Sequence, residues 1–381
     1  MKVFKFGGTS VGSAENMNKV ADIILGEKDR KVVVLSAMSG TTNSLVEISE
    51  LYKMHRNSEA IEKIDDLEQR YEQVITDLNY SKDIQLKGQQ FINDKFEFLR
   101  EFSRNSSLSS LERTNIILAQ GELISTQLFT WLISSMGEKV SLQPALDFMR
   151  TDRNAEPDTA YISLNLNQIF EEKPSCKTFV TQGFICLDDK GRVSNLERGG
   201  SDYSASLIGA AIDAEDIQIW TDIDGMHNND PRFVEETHSI AQISFEEAAE
   251  LAYFGAKILH PQSVFPAMEK NIPVWLKNTF KPEAHGTQIT NEAPANRYTS
   301  VAAKDGIIAI RIKSYRMLMA YGFLKSIFEI FERHQTAIDM ITTSEVAVSL
   351  TIDDDSKLSE ILNELEQLGK VEVDYDQTII C

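Results

Sequence analysis

A glycine-rich loop that carries one arginine and one aspartate, between residues 191 and 206, holds the strongest chemical signal in the sequence. It reads G-R-V-S-N-L-E-R-G-G-S-D-Y-S-A-S, follows an apolar segment and leads into small residues typical of a helix. Such a strand, loop and helix start directs backbone N–H groups and a helix dipole at one point, which suits an anion. Arg198 adds a planar fork that grips a carboxylate or a phosphate. The alternative is a tight turn in which Ser201 or Asp202 only caps the helix.

Two loops near the N-terminus also follow strand-like segments. Met1–Phe6 runs into Gly-Gly-Thr-Ser, with Lys5 beside the glycines. The lysine precedes the glycines, so this is not the phosphate-binding loop in which a lysine follows them. The valine-rich segment Lys31–Leu35 opens into S-A-M-S-G-T-T-N, and its continuous apolar character predicts a buried parallel strand, whose carboxyl end commonly binds ligands. A glycine turn and a plain polar loop are the alternatives.

Glu122 follows Gly121 within a helical segment, and Lys257 lies two residues after Gly255. Gly121 costs about 1 kcal/mol relative to alanine there, which indicates that a ligand approaches the backbone, and Glu122 could then receive an ammonium group. A helix capped by Ser244 leads to Lys257, whose apolar setting favours a phosphate-binding role.

The predicted strand Ile217–Ile219 ends in acidic and turn residues. Thr221 and Asp222 follow it, and Arg232 lies a few residues further on. These groups could hold the sugar and phosphates of a nucleotide. The alternative is a long surface turn, since Asp-Gly and Asp-Pro pairs often mark one.

Composition limits the partners of the chain. Its 381 residues predict two domains. A net charge of −20 excludes a general nucleic-acid or anionic-membrane surface. The cysteines, Cys176, Cys186 and Cys381, lack metal-ligand spacing, so we expect free thiols in a reducing cytoplasm. No signal peptide is expected, and no apolar run approaches the roughly 20 residues that span a bilayer.

The elements that position these loops alternate between strand and helix. Short apolar strands separated by amphipathic helices predict an α/β fold with a parallel sheet. From Leu45 to about Asn105 the sequence is rich in Glu, Lys, Gln and Leu. It predicts several helices with solvated charged faces and no obvious chemistry.

Eight motifs occur in the order that aspartokinases show, so essentially the whole chain resembles that family. They are K-F-G-G-T-S, V-V-L-S-A-M-S-G-T-T-N, Q-G-E-L, T-Q-G-F-I, R-G-G-S-D-Y-S-A, W-T-D-I-D-G, N-D-P-R and F-G-A-K-I-L-H-P. The resemblance implies an αβα sandwich of the amino-acid-kinase type. It also implies ATP-dependent phosphorylation of the β-carboxylate of L-aspartate to 4-phospho-L-aspartate, the first step of lysine, threonine and methionine biosynthesis.

The resemblance also implies roles for individual residues. It places Arg198 on the α-carboxylate of aspartate, Glu122 on its α-ammonium group and Asp202 as the orienting partner of Lys5. Mg²⁺ is expected on the ATP phosphates, without an assigned protein ligand. The implied sets are Lys5, Asp202 and Lys257 for catalysis; Ser36, Thr42, Glu122, Arg198 and Ser201 for aspartate; and Lys5, Gly7, Gly8, Thr221, Asp222, Arg232 and Lys257 for the nucleotide.

Two segments depart from the family pattern. Glu197 stands where many members have a glycine, which puts a new charge beside the expected aspartate pocket. His227 stands where many have a tyrosine, which puts aromatic stacking near the nucleotide in doubt. Neither change removes a charged residue that the chemistry needs.

After residue 293 the pattern resembles an ACT domain, a small ligand-sensing module with β-α-β-β-α-β order and a ferredoxin-like α+β fold. We therefore expect a catalytic domain at 1–293 and a regulatory domain at 294–381, in which a second ACT unit is incomplete. The resemblance implies a homodimer or higher homo-oligomer and feedback inhibition by lysine or threonine. The implied effector positions are Gly322, Phe323, Leu324, Asp339 and Ser344.

Two alternatives to aspartate kinase stay open. A kinase of the same fold could act on another acidic amino acid, such as glutamate. A non-catalytic amino-acid sensor would be expected to lack Lys5, Asp202 or Lys257, and the sequence contains all three.

Overall fold

The chain forms two compact units, Met1–Ser300 and Val301–Cys381. The structure, a computed structural model, describes residues 1–102, 108–196, 199–230, 233–254, 259–292, 300–317 and 321–381. The predicted boundary between residues 293 and 294 lies outside the described residues. The predicted α/β class is confirmed, because parallel pairs dominate the large sheet of the first unit.

The first unit is built on an eight-stranded sheet with the order β3-β4-β2-β1-β7-β9-β10-β8. Only the β9–β10 pair in this sheet is antiparallel. β5 and β6 form a separate hairpin. The strands are β1 Lys2–Phe6, β2 Lys31–Leu35, β3 Val140–Leu142, β4 Thr178–Gln182, β5 Ile185–Leu187, β6 Val193–Asn195, β7 Ile217–Thr221, β8 Gln242–Ser244, β9 Val274–Asn278 and β10 Thr287–Thr290.

The helices of this unit supply most of its apolar core. They are α1 Ala14–Gly26, α2 Thr41–Lys53, α3 Asn57–Asp77, α4 Lys82–Phe102, α5 Ser110–Ser135, α6 Thr159–Glu172, α7 Gly200–Ala211, α8 Phe245–Phe254 and α9 Phe265–Glu269. Side chains of α1 to α5 pack together with residues of β1 and β2 in one cluster. By length and composition α5 could cross a membrane, but 72% of its apolar window is buried inside the fold. It is therefore a core helix.

The second unit is a four-stranded antiparallel sheet with the order β12-β13-β11-β14. In β13 every second residue is buried against the helices, as the alternating sequence predicts. The β-α-β-β-α-β order and the ferredoxin-like arrangement are confirmed. The elements are β11 Ala303–Lys313, α10 Phe323–Arg333, β12 Ile341–Thr343, β13 Ala347–Ile352, α11 Leu358–Leu365 and β14 Lys370–Ile380.

Candidate active site

Several of the predicted site residues that the structure describes lie near the carboxyl ends of neighbouring parallel strands. Phe6, the last residue of β1, pairs with Leu35 of β2 on one side and with Trp220 of β7 on the other. The chain thus leaves β1 towards one side of the sheet and later returns on the other. Such a switch point opens a crevice for ligands.

Lys5 and Asp202 form an ion pair at this switch point. The Lys5 Nζ lies 2.7 Å from Asp202 Oδ1, and the two side chains are 11% and 17% exposed. Lys5 projects from β1, whereas Asp202 belongs to the first turn of α7. The end of β1 and the first turn of α7 therefore meet at one pair of opposite charges.

The two N-terminal loops interlock through Gly8. The Ser39 N–H donates to the Gly8 carbonyl at 3.0 Å, and a Cβ on Gly8 would lie 2.9 Å from the Ala37 carbonyl oxygen. Gly7 is less crowded, since its Cβ would lie 3.5 Å from Lys5 Nζ. A side chain at residue 8 would thus push the two loops apart.

Ser36 and Ser201 come together although they are far apart in sequence. The Ser36 hydroxyl donates to Ser201 Oγ at 2.9 Å. This contact depends on Gly183, because a Cβ there would lie 2.4 Å from Ser201 Cβ. Phe184 follows with a φ of 68°, so the apolar segment that precedes the glycine-rich loop breaks into β4 and β5. Sequence reasoning had used Gly183 only as part of a family motif.

Glu122 is a nearly inaccessible carboxylate on α5, with 4% of the residue exposed. Its Oε1 accepts a hydrogen bond from the Ala37 N–H at 3.0 Å, and burial raises the pKa of Glu122 to about 7. Gly121 permits close packing on Ala37, because its Cβ would lie 2.7 Å from Ala37 Cβ. We expected a ligand to approach the backbone at Gly121. The group that packs there is instead Ala37, a residue of the protein.

Ser125, which the sequence analysis missed, supports the same loop. Its hydroxyl donates to the Ser36 carbonyl at 2.8 Å. Both Glu122 and Ser125 therefore hold the chain that leaves β2. Glu122 and Ser125 are three residues apart and therefore lie on the same face of α5. This spacing indicates a shared role only when the loop after β2 is known to pack on that face.

Thr42 lies apart from this cluster. It is exposed in the first turn of α2, while its neighbour Thr41 is buried and shares a 2.9 Å hydrogen bond with the Tyr71 hydroxyl. Within the described parts of the chain, no hydrogen bond joins Thr42 to Ser36 or Glu122.

The predicted nucleotide residues follow β7. Thr221 Oγ1 accepts the Ile223 N–H at 3.1 Å, so its hydroxyl shapes the turn, and Asp222 is exposed. The His227 ring contacts Asp224 Oδ1 and Thr237 Oγ1, each at 2.9 Å. The hydrogen bond from His227 lowers the pKa of Asp224. Three predicted residues, Arg198, Arg232 and Lys257, lie outside the described residues, as does Glu197.

The predicted effector residues occupy three places in the second unit. Gly322 is the N-cap of α10 with a φ of 88°, and Phe323 and Leu324 begin that helix. The Asp339 side chain is buried before β12, with its Oδ1 3.7 Å from Lys304 Nζ. Ser344 lies in the exposed turn after β12 and accepts the Ala347 N–H at 3.1 Å.

Comparison with known proteins gives the same family for the whole chain. Residues 1–278 match the amino acid kinase family. The lysine-sensitive aspartokinase 3 of Escherichia coli (strain K12) is 35% identical over 391 residues, which cover 100% of this chain and 86% of that protein. Crystal structures of E. coli aspartokinase III, each 34% identical, cover the same shares of the two chains. The complex with aspartate and ADP gives a TM-score of 0.81, and the complex with lysine and aspartate gives 0.78. The chain therefore belongs to the aspartokinases of the amino acid kinase family and is an aspartate kinase, a phosphotransferase that uses ATP.

Proposed function

We propose that this kinase transfers the γ-phosphoryl group of ATP to the β-carboxylate of L-aspartate, giving ADP and 4-phospho-L-aspartate. The observation that carries the proposal is the Lys5–Asp202 pair, 2.7 Å apart beside the Gly7–Gly8 loop. This pair holds the Lys5 ammonium group where the end of β1 meets the first turn of α7. The E. coli relative, crystallised with aspartate and ADP, supports the choice of substrate.

Glu122 is the group that we assign to the α-ammonium of aspartate. A carboxylate buried this deeply is unfavourable without a counter-ion, which is why its pKa is raised to about 7. The substrate ammonium would neutralise it, while the hydroxyls of Ser36 and Ser201 offer neutral hydrogen bonds. Arg198 is assigned to the α-carboxylate, and Thr42 to the rim of the pocket.

The reaction needs charge compensation more than it needs a base. The β-carboxylate of aspartate is ionised at neutral pH, so its oxygen attacks the γ-phosphorus directly as the bond to the ADP oxygen breaks. The protein has to align two anions and offset their repulsion. We assign this work to Lys5, oriented by Asp202, and to Lys257, while Gly7, Gly8, Thr221, Asp222 and Arg232 surround the nucleotide.

We expect Mg²⁺ to enter this site bound to the phosphates of ATP. It normally binds through one or two carboxylates together with substrate phosphates. In the described ranges no three acidic, His or Cys side chains cluster as a metal site. We assign the metal mainly to phosphate oxygens and water, where it would neutralise charge on the transferring group.

We also propose that the second unit is an ACT regulatory domain through which lysine inhibits the enzyme in the cytoplasm, at the first step of lysine, threonine and methionine synthesis. The lysine-sensitive relative and its lysine complex support this choice over threonine. The effector would contact Gly322, Phe323, Leu324, Asp339 and Ser344, in a homodimer. Assays with lysine and with threonine separate the two effectors.

Trapping the acyl phosphate with hydroxylamine tests the catalytic proposal. Wild type, Lys5→Ala and Arg198→Ala are incubated with ATP, Mg²⁺ and L-aspartate, with Lys63→Ala as a control. Lys63 pairs with Glu47 at 3.2 Å on the exposed surface of α3. We expect hydroxamate from wild type and the control, and little from the other two. Folded wild type that gives no hydroxamate would refute the proposal, and a preference for added glutamate would point to another acidic amino acid.

A further inference from the structure

Arg70 on α3 donates to the loop that follows β1 and lies close to the loop that follows β2. Its Nη2 donates to the Gly12 carbonyl at 3.4 Å. On the other side, a Cβ on Gly40 would lie 3.2 Å from Arg70 Nη1. Gly12 precedes the N-cap of α1, and Gly40 is itself the N-cap of α2. One guanidinium group therefore spans the loops that carry Gly8 and Ser36.

These loops already touch each other at their centre. Besides the Ser39–Gly8 hydrogen bond of 3.0 Å, a Cβ on Gly12 would lie 3.1 Å from the Gly8 carbonyl oxygen and 3.2 Å from Ser39 Cβ. With so little space between them, a shift of one loop displaces the other. Arg70 is thus placed where it limits their separation.

Arg70 lacks an acidic partner in the part of the chain that the structure describes. Among the described residues Arg70 forms no ion pair, although it is only partly exposed. Arg70 also lies beside the N-termini of α1 and α2, where the positive ends of the helix dipoles are located. A cation in that position is unfavourable on its own, and anionic substrates at the same loops would offset the repulsion.

We propose that Arg70 is a positioning residue for phosphoryl transfer, which holds the loop after β1 against the loop after β2. It acts through Gly12 and Gly40, and we assign it no contact with substrate. A misplacement of about 1 Å can lower a rate about 100-fold. We therefore expect Arg70→Ala to lower kcat/KM by roughly 10- to 100-fold, with little change in Tm because Arg70 is partly exposed and makes one weak hydrogen bond.

The test compares Arg70→Ala and Arg70→Lys with Arg56→Ala. Arg56 precedes the same helix, is exposed and pairs with Glu59, so its loss should leave kcat and both KM values unchanged. ADP release gives the kinetic constants, and thermal unfolding gives Tm. We expect lysine to restore part of the activity, and added methylguanidinium to raise the activity of Arg70→Ala but not of Arg56→Ala.

Two results would overturn the proposal. One is Arg70→Ala with kcat and KM within twofold of the Arg56→Ala control. The other is a parallel loss of Tm and activity that neither lysine nor methylguanidinium restores, which would make Arg70 a purely structural residue.

Discussion

The buried carboxylate of Glu122 should make the stability of the unliganded kinase depend on pH, and Glu122→Gln should remove that dependence. Glutamine keeps an oxygen that can accept the Ala37 N–H bond, which is 3.0 Å long in the parent, but it carries no ionisable group. Burying the amide changes the free energy of unfolding by the same amount at every pH, so it does not alter the pH dependence. The difference in pH dependence between the two proteins therefore reports the ionisation of Glu122 alone.

The magnitude follows from the pKa of Glu122, which burial raises from 4.5 to about 7. Between these values the folded protein binds a proton that the unfolded chain releases, so the free energy of unfolding falls as pH rises. Each pH unit corresponds to about 1.4 kcal/mol. Relative to Glu122→Gln, wild type should therefore lose about 1.6 kcal/mol between pH 5.5 and pH 7, about 2 kcal/mol by pH 8, and no more at higher pH.

Urea unfolding followed by tryptophan fluorescence measures this difference. Trp131, Trp220 and Trp275 all lie in the first unit, so the signal reports the unit that contains Glu122. Saturating aspartate should stabilise wild type at pH 8 but not Glu122→Gln, and kcat/KM for aspartate should fall as pH drops below 7. Parallel stability curves for the two proteins across this range would refute the reasoning.

Three further substitutions probe other contacts of the first unit. Gly183→Ala places a methyl group 2.4 Å from Ser201 Cβ. We expect the free energy of unfolding in urea to fall by about 1–3 kcal/mol and the KM for aspartate to rise. An unchanged KM would contradict this prediction. Lys5→Met leaves Asp202 without its 2.7 Å partner and should lower kcat at least about 100-fold in the hydroxamate assay; a folded variant with normal kcat would exclude the assigned role. Ser109→Ala removes the capping box of α5, in which Ser109 Oγ accepts the Glu112 N–H at 3.2 Å. The free energy of unfolding should fall by about 1 kcal/mol, and kcat should not change. A lower kcat would show that this cap affects the active site.

Features set by neighbouring residues were predictable from the sequence. The valine run gives β2 with all five residues buried. Ser244 caps the next helix as predicted, since its Oγ accepts the Glu247 N–H at 3.1 Å. The glycine-rich loop leads into α7 at Gly200 as expected. In each case the period of apolar residues or one cap decides the local conformation.

Features set by distant contacts were not predictable in this way. The break at Gly183 exists because Ser201 packs against it from another element, and the local sequence remains apolar through the break. Arg70 lies on an amphipathic, charged helix whose sequence favours a solvated face. Only the packing of α3 beside Gly12 and Gly40 distinguishes it from the other charges of that helix.

The central position of β1 has a consequence for biosynthesis on the ribosome. Val3 pairs with Val32 on one side but with Ile217 on the other, so half of the hydrogen-bonding edge of the first strand waits for a partner made much later. At roughly 5–20 residues per second, that interval lasts on the order of ten to forty seconds. While α2 to α6 are synthesised, the nascent chain therefore carries an apolar strand with one unpaired edge, and this edge is open to chaperones that bind extended segments.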